Sequence, residues 1–320
     1  MKKFINMLLI GAILISTLAG CANQSNESTS ESINLDSKKI AIIRNLIEDD
    51  HTTQFIAGAT EQGEAEGYKV DSFISGGDDE KTKTLIKDAI KNGYGGIILS
   101  HGKQEYSTDL LTQAIEKGIK VVTFDTIFEK QIPSITQTMQ NDSQLAELSL
   151  GALIENIEAP ANIVKIWYSG GMRPFDLRNE IYTQMELDGK IKTIGEVNLR
   201  NLSNVQADVE SALSKILQSG EKIDGVWAAW DEMAKGALTT LNKANKTDIK
   251  LVSIDISEKD KELMEKNSTV WTATAAVDAH MIGAENMKLV IKKLKGKETN
   301  PRVVFDGKLY KIIDGKVKEQ

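Results

Sequence analysis

From residue 38 onward the chain alternates between two hydrophobic rhythms. Short apolar runs fit for strands are separated by longer stretches in which apolar positions recur at helical spacing. In the first half this predicts strands over 39–45, 68–75, 95–100 and 120–125, with helices over 53–67, 83–92 and 107–117 between them. Phe55, Ile56, Ala59 and Ala65 share one face of the first helix. Gly67, Gly93 and Gly118 stand where the helices end, the usual place for a residue that tolerates a left-handed backbone. After a helix over 145–156, strands over 163–168, 193–197, 225–229 and 251–254 alternate with helices over 177–187, 205–218 and 233–244. A strand over 270–276 and a long helix over 280–294 follow, with Met281, Ala284, Met287 and Ile291 on one helix face. The tail reads as a short hairpin over 303–310 and 311–314. Such alternation argues for an α/β fold built on parallel sheets with helices on both faces. Two arrays of similar size predict two similar lobes, and the strand endings Thr123-Phe124-Asp125 and Ser253-Ile254-Asp255 repeat weakly between them.

The stretch from Gly225 to Ala237 organises the second array. It opens as a buried strand, turns polar at Trp230-Asp231-Glu232 and continues as a helix. Ligands of open parallel sheets bind past the carboxyl ends of strands, where a strand gives way to its helix. Trp230 is therefore expected to line a cleft, while Asp231 reads first as the helix cap and otherwise as a hydrogen-bond acceptor. Trp227 and Trp230 are three apart on a strand, so they face opposite ways, with Trp227 toward the core. Trp167 is a further cleft candidate, and Trp271 reads as packing.

Residues 1–37 follow neither rhythm. Lys2 and Lys3 precede an apolar run over 4–18 and small residues lead to Cys21, the pattern of an export signal. The run is too short and wrongly flanked for a good membrane span. Leu18-Ala19-Gly20-Cys21 resembles the bacterial lipobox, which implies a signal over 1–20, cleavage before Cys21 and lipid attachment to its sulfur. Residues 21–37, rich in Ser, Asn and Glu, read as a flexible tether. The expected location is thus outside the cell, anchored by a lipid at the outer face of the cytoplasmic membrane.

Composition narrows the partners. The chain carries 46 acidic residues against 39 basic ones, a net charge of −7, which argues against non-specific nucleic-acid binding. With one cysteine, no internal disulfide and no thiolate metal cluster can form. Glu48-Asp49-Asp50-His51 has the composition of a cation site, but adjacent side chains do not all converge on one ion, so no metal is expected. Gly93-Tyr94-Gly95-Gly96 precedes a strand instead of following one, unlike a dinucleotide loop, and no cofactor is expected.

Three landmarks then fall in order: Gly118-Ile-Lys-Val-Val-Thr-Phe-Asp125, Asp224 to Ala237, and Leu251-Val-Ser-Ile-Asp255. Over residues 38 to about 315 the chain resembles the type I periplasmic sugar-binding proteins of ABC importers, a family that includes ribose- and galactose-binding proteins. The effector domain of lactose-repressor-like regulators shares the pattern, but no helix-turn-helix segment precedes the first strand here. The resemblance implies two lobes joined by three crossings, near 141–143, 276–278 and 304–306. The amino lobe would be 38–142 plus 278–305, and the other lobe 143–277 plus 306–320. It places the family's cleft carboxylate on Asp125 with Thr126 beside it, its guanidinium on Arg178, and its late acidic position on Asp255. Ile181 stands where the family's Arg-x-x-Gly-aromatic turn has glycine. Trp230 falls where ribose binders often carry Asn, His51 and Thr52 fall on their aromatic pair, and Val277 with Asp278 fall at the second crossing. These departures argue against assuming ribose.

The chemistry of that set suits a neutral sugar. Carboxylates accept from hydroxyls and a guanidinium fork donates in return, and charge-assisted bonds are the strong ones. Only five residues are arginine, against 34 lysines, so an arginine marks a place where a planar fork is needed. Arg178 and Arg200 both follow strands of the second array, and Arg173 lies just before Arg178. Two arginines in the cleft would also permit an acidic or phosphorylated sugar. Asp49 and His51 join the list as cleft lining, and His101 ends a strand. The expected function is capture of a monosaccharide or polyol by a monomeric, non-enzymatic receptor that delivers it to an ABC permease. A sensory receptor for a sugar-like signal and an enzyme using Asp125, Asp255 and His51 as acid and base are the competing readings. Against the enzyme, the sequence carries no Gly-x-Ser-x-Gly elbow and no His-Glu-x-x-His motif.

Overall fold

Ile40 and Ile42 point to one face of the first strand and Ala41 and Ile43 to the other, and all four are completely buried. A strand covered on both faces belongs in a parallel sheet between two helical layers. The computed structural model describes residues 34–320, and in them that sandwich is built twice. The expected signal, Cys21 and most of the tether lie outside the described residues.

The first array comprises β1 (Asp36–Arg44), α1 (Asp50–Ala65), β2 (Lys69–Ile74), α2 (Asp79–Lys91), β3 (Tyr94–Ser100), α3 (Gln104–Glu116), β4 (Lys120–Phe124) and β5 (Ile135–Gln140). The second runs through α4 (Asp142–Ile154), β6 (Ala161–Tyr168), α5 (Arg173–Leu187), β7 (Ile191–Leu199), α6 (Val205–Leu217), β8 (Gly225–Ala228), α7 (Asp231–Lys243), β9 (Lys250–Ile254), α8 (Glu258–Lys266) and β10 (Trp271–Ala276). Then come α9 (Ala279–Leu294), β11 (Arg302–Phe305), β12 (Lys308–Ile313) and β13 (Lys316–Glu319).

One sheet has six strands in the order β11-β5-β4-β3-β1-β2, every neighbour parallel. The other has seven, β13-β12-β10-β9-β8-β6-β7, parallel from β7 to β10 and finished by the antiparallel pair β12 and β13. On one side of the six-stranded sheet Phe55, Ile282, Met287 and Val290 of α1 and α9 cover Ile40, Ile42 and Ile98. On the other, Ile86 and Leu111 of α2 and α3 cover Ala41, Ile43 and Ile97. Helices α1 and α9 touch backbone to backbone. A Cβ added at Gly58 would sit 2.0 Å from the carbonyl oxygen of His280, and one at Gly283 would sit 2.0 Å from that of Phe55.

The chain passes between the sheets three times: from β5 into α4, from β10 into α9 and from β11 into β12. Asn141 Nδ2 donates to Asp306 Oδ1 at 2.8 Å and the Gly307 N–H to Gln144 Oε1 at 2.8 Å, so the first and third passages run side by side.

Three elements differ from the sequence expectation. Strand β5 was not expected because Ile135-Thr-Gln-Thr-Met-Gln140 has no apolar period, yet all six residues are buried. Its polar side chains are matched internally, with Gln137 Oε1 accepting from the Phe128 N–H and Thr138 Oγ1 bonded to Asn286 Oδ1. Helix α8 was also unexpected; a capping box between Ser257 and Asp260 starts it. The terminal hairpin is β12–β13, turning at Asp314 and Gly315 with φ of 55° and 74°, while 302–305 joins the other sheet. Among the described residues no helix is long and apolar enough to cross a membrane.

Candidate functional site

The carboxyl ends of both sheets face each other across the gap that the three passages bridge. Asp125 follows β4 and Asp255 follows β9, and each adopts a left-handed backbone, φ 48° and 72°. His101, after β3, does the same at φ 59°. Such conformations are costly for residues other than glycine and collect at functional sites. The two aspartates are internally equivalent. The Asp125 N–H donates to the Thr138 carbonyl and the Asp255 N–H to the Ala275 carbonyl, at 3.0 and 2.9 Å. The repeated strand ending of the sequence is thus a repeated geometry.

Arg178, in α5, is 3% exposed and spans the gap's floor. Its Nε donates to Asp142 Oδ1 at 2.8 Å, its Nη1 to the Ala229 carbonyl at 2.5 Å, and Nη1 lies 3.4 Å from Asp255 Oδ2. The Gln140 N–H donates to Asp125 Oδ1 at 3.1 Å. The first passage therefore holds one carboxylate through Gln140 and the guanidinium through Asp142.

Gln140, Arg178 and Asp255, with Leu46, His51, His101, Pro174, Phe175 and Trp230, line a narrow pocket of about 20 Å³ between the lobes as they stand, closed down almost to the size of a water molecule. Five buried polar atoms in and around it have no hydrogen-bond partner: His51 Nε2, Asp125 Oδ2, Gln140 Oε1, Asp142 Oδ2 and Asp255 Oδ1. Buried polar atoms are nearly always bonded, so unmet ones gathered in and around one space mark it as a candidate site for a polar ligand. Trp230 and Phe175 meet edge to face at 6.4 Å and give the space an apolar wall. A wider hollow of about 640 Å³ adjoins it past His101 and Asp125, toward Arg173 and Asp176. It lacks the convergence of unmet buried groups.

Burial dominates the electrostatics. It pushes the carboxyls of Asp125, Asp142 and Asp255 above their ordinary range, most strongly at Asp125, where Asp142 adds to the effect. Burial also pulls His51 down to about 3 and His101 well below its ordinary value, with Arg44 the next cause for both, so both rings are neutral at pH 7. For Arg178, burial opposes the charge, but Asp142 and Asp255 outweigh it and raise its pKa.

The expected site residues are placed as follows. His51, Arg178, Trp230 and Asp255 line the pocket, and Asp125 lies beside it on the adjoining hollow. Asp49 stands at the edge of the gap, where Oδ1 caps α1 by accepting from the Thr52 N–H at 2.6 Å. Thr126 is buried beneath the site and its Oγ1 accepts from the Gly102 N–H at 2.8 Å, so it supports the His101 turn. Arg200 and Asp278 are corrections. Arg200 is exposed at the end of β7, a strand at the edge of its sheet, and lines none of the hollows described here. Asp278 is exposed and caps α9 by accepting from the Met281 N–H at 3.0 Å. Arg173 pairs with Glu180 at 2.7 Å, and Trp167 bonds Glu196 away from the pocket. Asp231 does not cap α7; Trp230 occupies the cap position, and Asp231 is buried 3.6 Å from Lys235.

A family model described as a periplasmic binding protein domain matches residues 40–298. The chain belongs to this family. Membership marks it as an exported binding protein, in accord with two lobes facing across a narrow pocket. It is similar to a sugar ABC transporter structure from Yersinia enterocolitica, with 37% identity, a TM-score of 0.82, and coverage of 87% of this chain and 84% of that one. It is also similar to the D-apiose import binding protein of Paraburkholderia graminis, 24% identical over 74% of this chain and 75% of the relative. The fold is shared with a 5-methylthioribose transporter solute-binding protein from Thermotoga lettingae, at 23% identity, a TM-score of 0.80, and coverage of 87% and 86%. These relatives are transport binding proteins.

Sequence reasoning missed four members of the site in this periplasmic binding protein. Arg44 was counted only as an arginine at the end of an apolar strand, yet it is fully buried beside His51 and Ser100. Gln140 and Asp142 lie in the polar run around the first passage, and Phe175 precedes Arg178 by less than one helical turn. The one available signal for Arg44 was a charge in a run otherwise too apolar to carry it.

Proposed function

We propose that this protein is a lipid-anchored receptor that closes its two lobes around one neutral monosaccharide or polyol and hands it to an ABC permease. One observation carries the reading: unmet acceptor oxygens of Gln140 and Asp255 line one space between the lobes, with those of Asp125, on the adjoining hollow, and Asp142, bonded to Arg178, beside it. Hydroxyl-rich ligands supply the donors such atoms need, and the Trp230 and Phe175 rings suit the C–H face of a sugar. Three carboxylates face two guanidiniums, Arg44 and Arg178, and both guanidiniums are already engaged by protein partners. An acidic or phosphorylated sugar would add charge to an acceptor-rich pocket, so neutral ligands are favoured. The sugar-transport relatives and the D-apiose and 5-methylthioribose in their names support the same class. The arrangement calls for hinge closure and no covalent chemistry, and the Cys21 anchor accounts for retention at the membrane.

A thermal-shift screen of pentoses, hexoses, polyols and their phosphates tests this. A neutral sugar or polyol at a hundredfold excess over its Kd is expected to stabilise the protein by about 2.7 kcal/mol and to be recovered unchanged. Stabilisation only by phosphorylated sugars, or chemical conversion of the ligand, would overturn the reading.

A further inference from the structure

Arg44 stands behind the pocket's lining and touches both histidines' local networks at once. Its Nη2 lies 3.1 Å from His51 Nδ1 and its Nη1 lies 3.0 Å from Ser100 Oγ. Ser100 Oγ in turn lies 2.6 Å from His101 Nδ1. A guanidinium only donates. His51 Nδ1 must therefore accept, which leaves the ring proton on Nε2. Ser100 Oγ accepts from Arg44, and its own hydrogen has His101 Nδ1 as its partner. The opposite arrangement would strand a hydroxyl hydrogen on a fully buried serine. His101 thus also carries its proton on Nε2.

We propose that Arg44 is a positioning residue of the binding site: it fixes His51 and His101 as the Nε2–H tautomers, so that two imidazole donors face a pocket otherwise rich in acceptors. This deepens the receptor reading above, because it assigns a place for a ligand oxygen that has no hydrogen, such as the ring oxygen of a sugar. The rings are held for that task. Both pack on Phe124, His51 stacked at 6.4 Å and His101 edge-on at 5.5 Å. His51 Nε2 is buried with no partner, and His101 Nε2 stands 3.6 Å from Asp125 Oδ2. The guanidinium lies over Phe55 at 4.4 Å and also donates to Thr52 Oγ1 at 3.3 Å, which fixes the fork. A lysine ammonium is a point donor and does not reproduce a planar fork reaching two separate acceptors. Arg44, His51, Ser100 and His101 all belong to the lobe of the six-stranded sheet, so the relay persists when the lobes part.

The chain has three histidines, which makes the test direct. In ¹⁵N-histidine-labelled, ligand-free protein at pH 7, long-range ¹H–¹⁵N spectra are expected to show His51 and His101 as neutral rings protonated on Nε2. Arg44→Met is expected to shift both rings toward a mixture of tautomers, and Ser100→Ala to shift His101 alone. A proton on Nδ1 of either ring in the native protein overturns the proposal. So does a folded Arg44→Met whose ring signals are unchanged. Should Arg44→Met fail to fold, the native spectrum and Ser100→Ala decide, and a Ser100→Ala spectrum identical to the native one refutes the relay. Because no ligand is used, a failed sugar screen leaves this result standing on its own.

Discussion

Asp50 and Lys259 belong to different lobes, and Lys259 Nζ donates to Asp50 Oδ1 at 2.6 Å. The other Asp50 oxygen lies 3.4 Å from Lys235 Nζ, also across the gap. Lys235 is held in place within its own lobe by Glu232 at 2.5 Å, Asp260 at 3.2 Å and Asp231 at 3.6 Å. Within the acidic run, Asp50 is therefore an edge contact between lobes, with lysines as its counter-charges. Burial works against ionisation of Asp50, but Lys259 and Lys235 hold its carboxyl below its ordinary value.

This contact forms only when the lobes are together, so it adds to closure without touching the pocket. Asp50→Asn is expected to weaken binding of the screened sugar by roughly two- to fivefold in low salt, the scale of a partly exposed ion pair. Near 1 M salt, where screening acts within about 3 Å, variant and native protein should converge. Titration calorimetry at both salts checks this. Equal affinities in low salt would show that the pair contributes nothing to closure.

The carboxyls of the site give a pH dependence with a definite sign. In the closed arrangement Asp125, Asp142 and Asp255 are raised above 3.8 by burial, with Arg178 opposing and Arg44, His51 and His101 nearby. With the lobes apart, water restores their ordinary values. A group whose pKa is raised in one state stabilises that state fully below the unperturbed value, and loses the contribution as pH rises through the raised one. The carboxyls thus favour closure as pH falls, while His51 and His101, pulled down by burial in the closed arrangement, favour opening as pH falls through their ordinary 6.5. With both rings replaced (His51→Gln, His101→Gln), the ligand-free protein is expected to close more readily as pH falls from 7 toward 5. Small-angle scattering should record a smaller radius of gyration at the lower pH. An unchanged or larger radius, as general acid expansion produces, would contradict it.

Much of this site was legible because strand ends announce themselves. Asp125 and Asp255 each close an apolar run at a strand end, and the repeat of that ending across two arrays matched a repeat in space. Trp230 was reached the same way, and Arg178 through the family resemblance and the scarcity of arginine. The same rule misled at Arg200, since following a strand says nothing of whether that strand is central; β7 lies at the edge of its sheet. Asp278 looked like a cleft residue because it follows a passage, but the first turn of α9 needs its side chain as a cap. Gln140 and Asp142 were hidden for a different reason. Their segment is buried through hydrogen bonds instead of apolar contact, so hydrophobic periodicity carries no trace of it.

The two tryptophans of the organising stretch separate stability from recognition. Trp227 is completely buried between its sheet and α4, where Nε1 donates to Ser149 Oγ at 3.0 Å and the ring meets Tyr182 at 5.2 Å. All of that lies within one lobe, so Trp227→Ala is expected to cost about 3–5 kcal/mol in urea unfolding whether or not ligand is present. Trp230, three residues on, owes part of its burial to the opposite lobe, since Leu46 and His51 line the same pocket. Its removal should cost the ligand-free protein well under that amount, while weakening sugar binding by about tenfold through the lost ring face. Paired urea titrations and calorimetry distinguish the two. If Trp230→Ala unfolds as readily as Trp227→Ala and the folded fraction binds with native affinity, then Trp230 belongs to the core and not to the pocket.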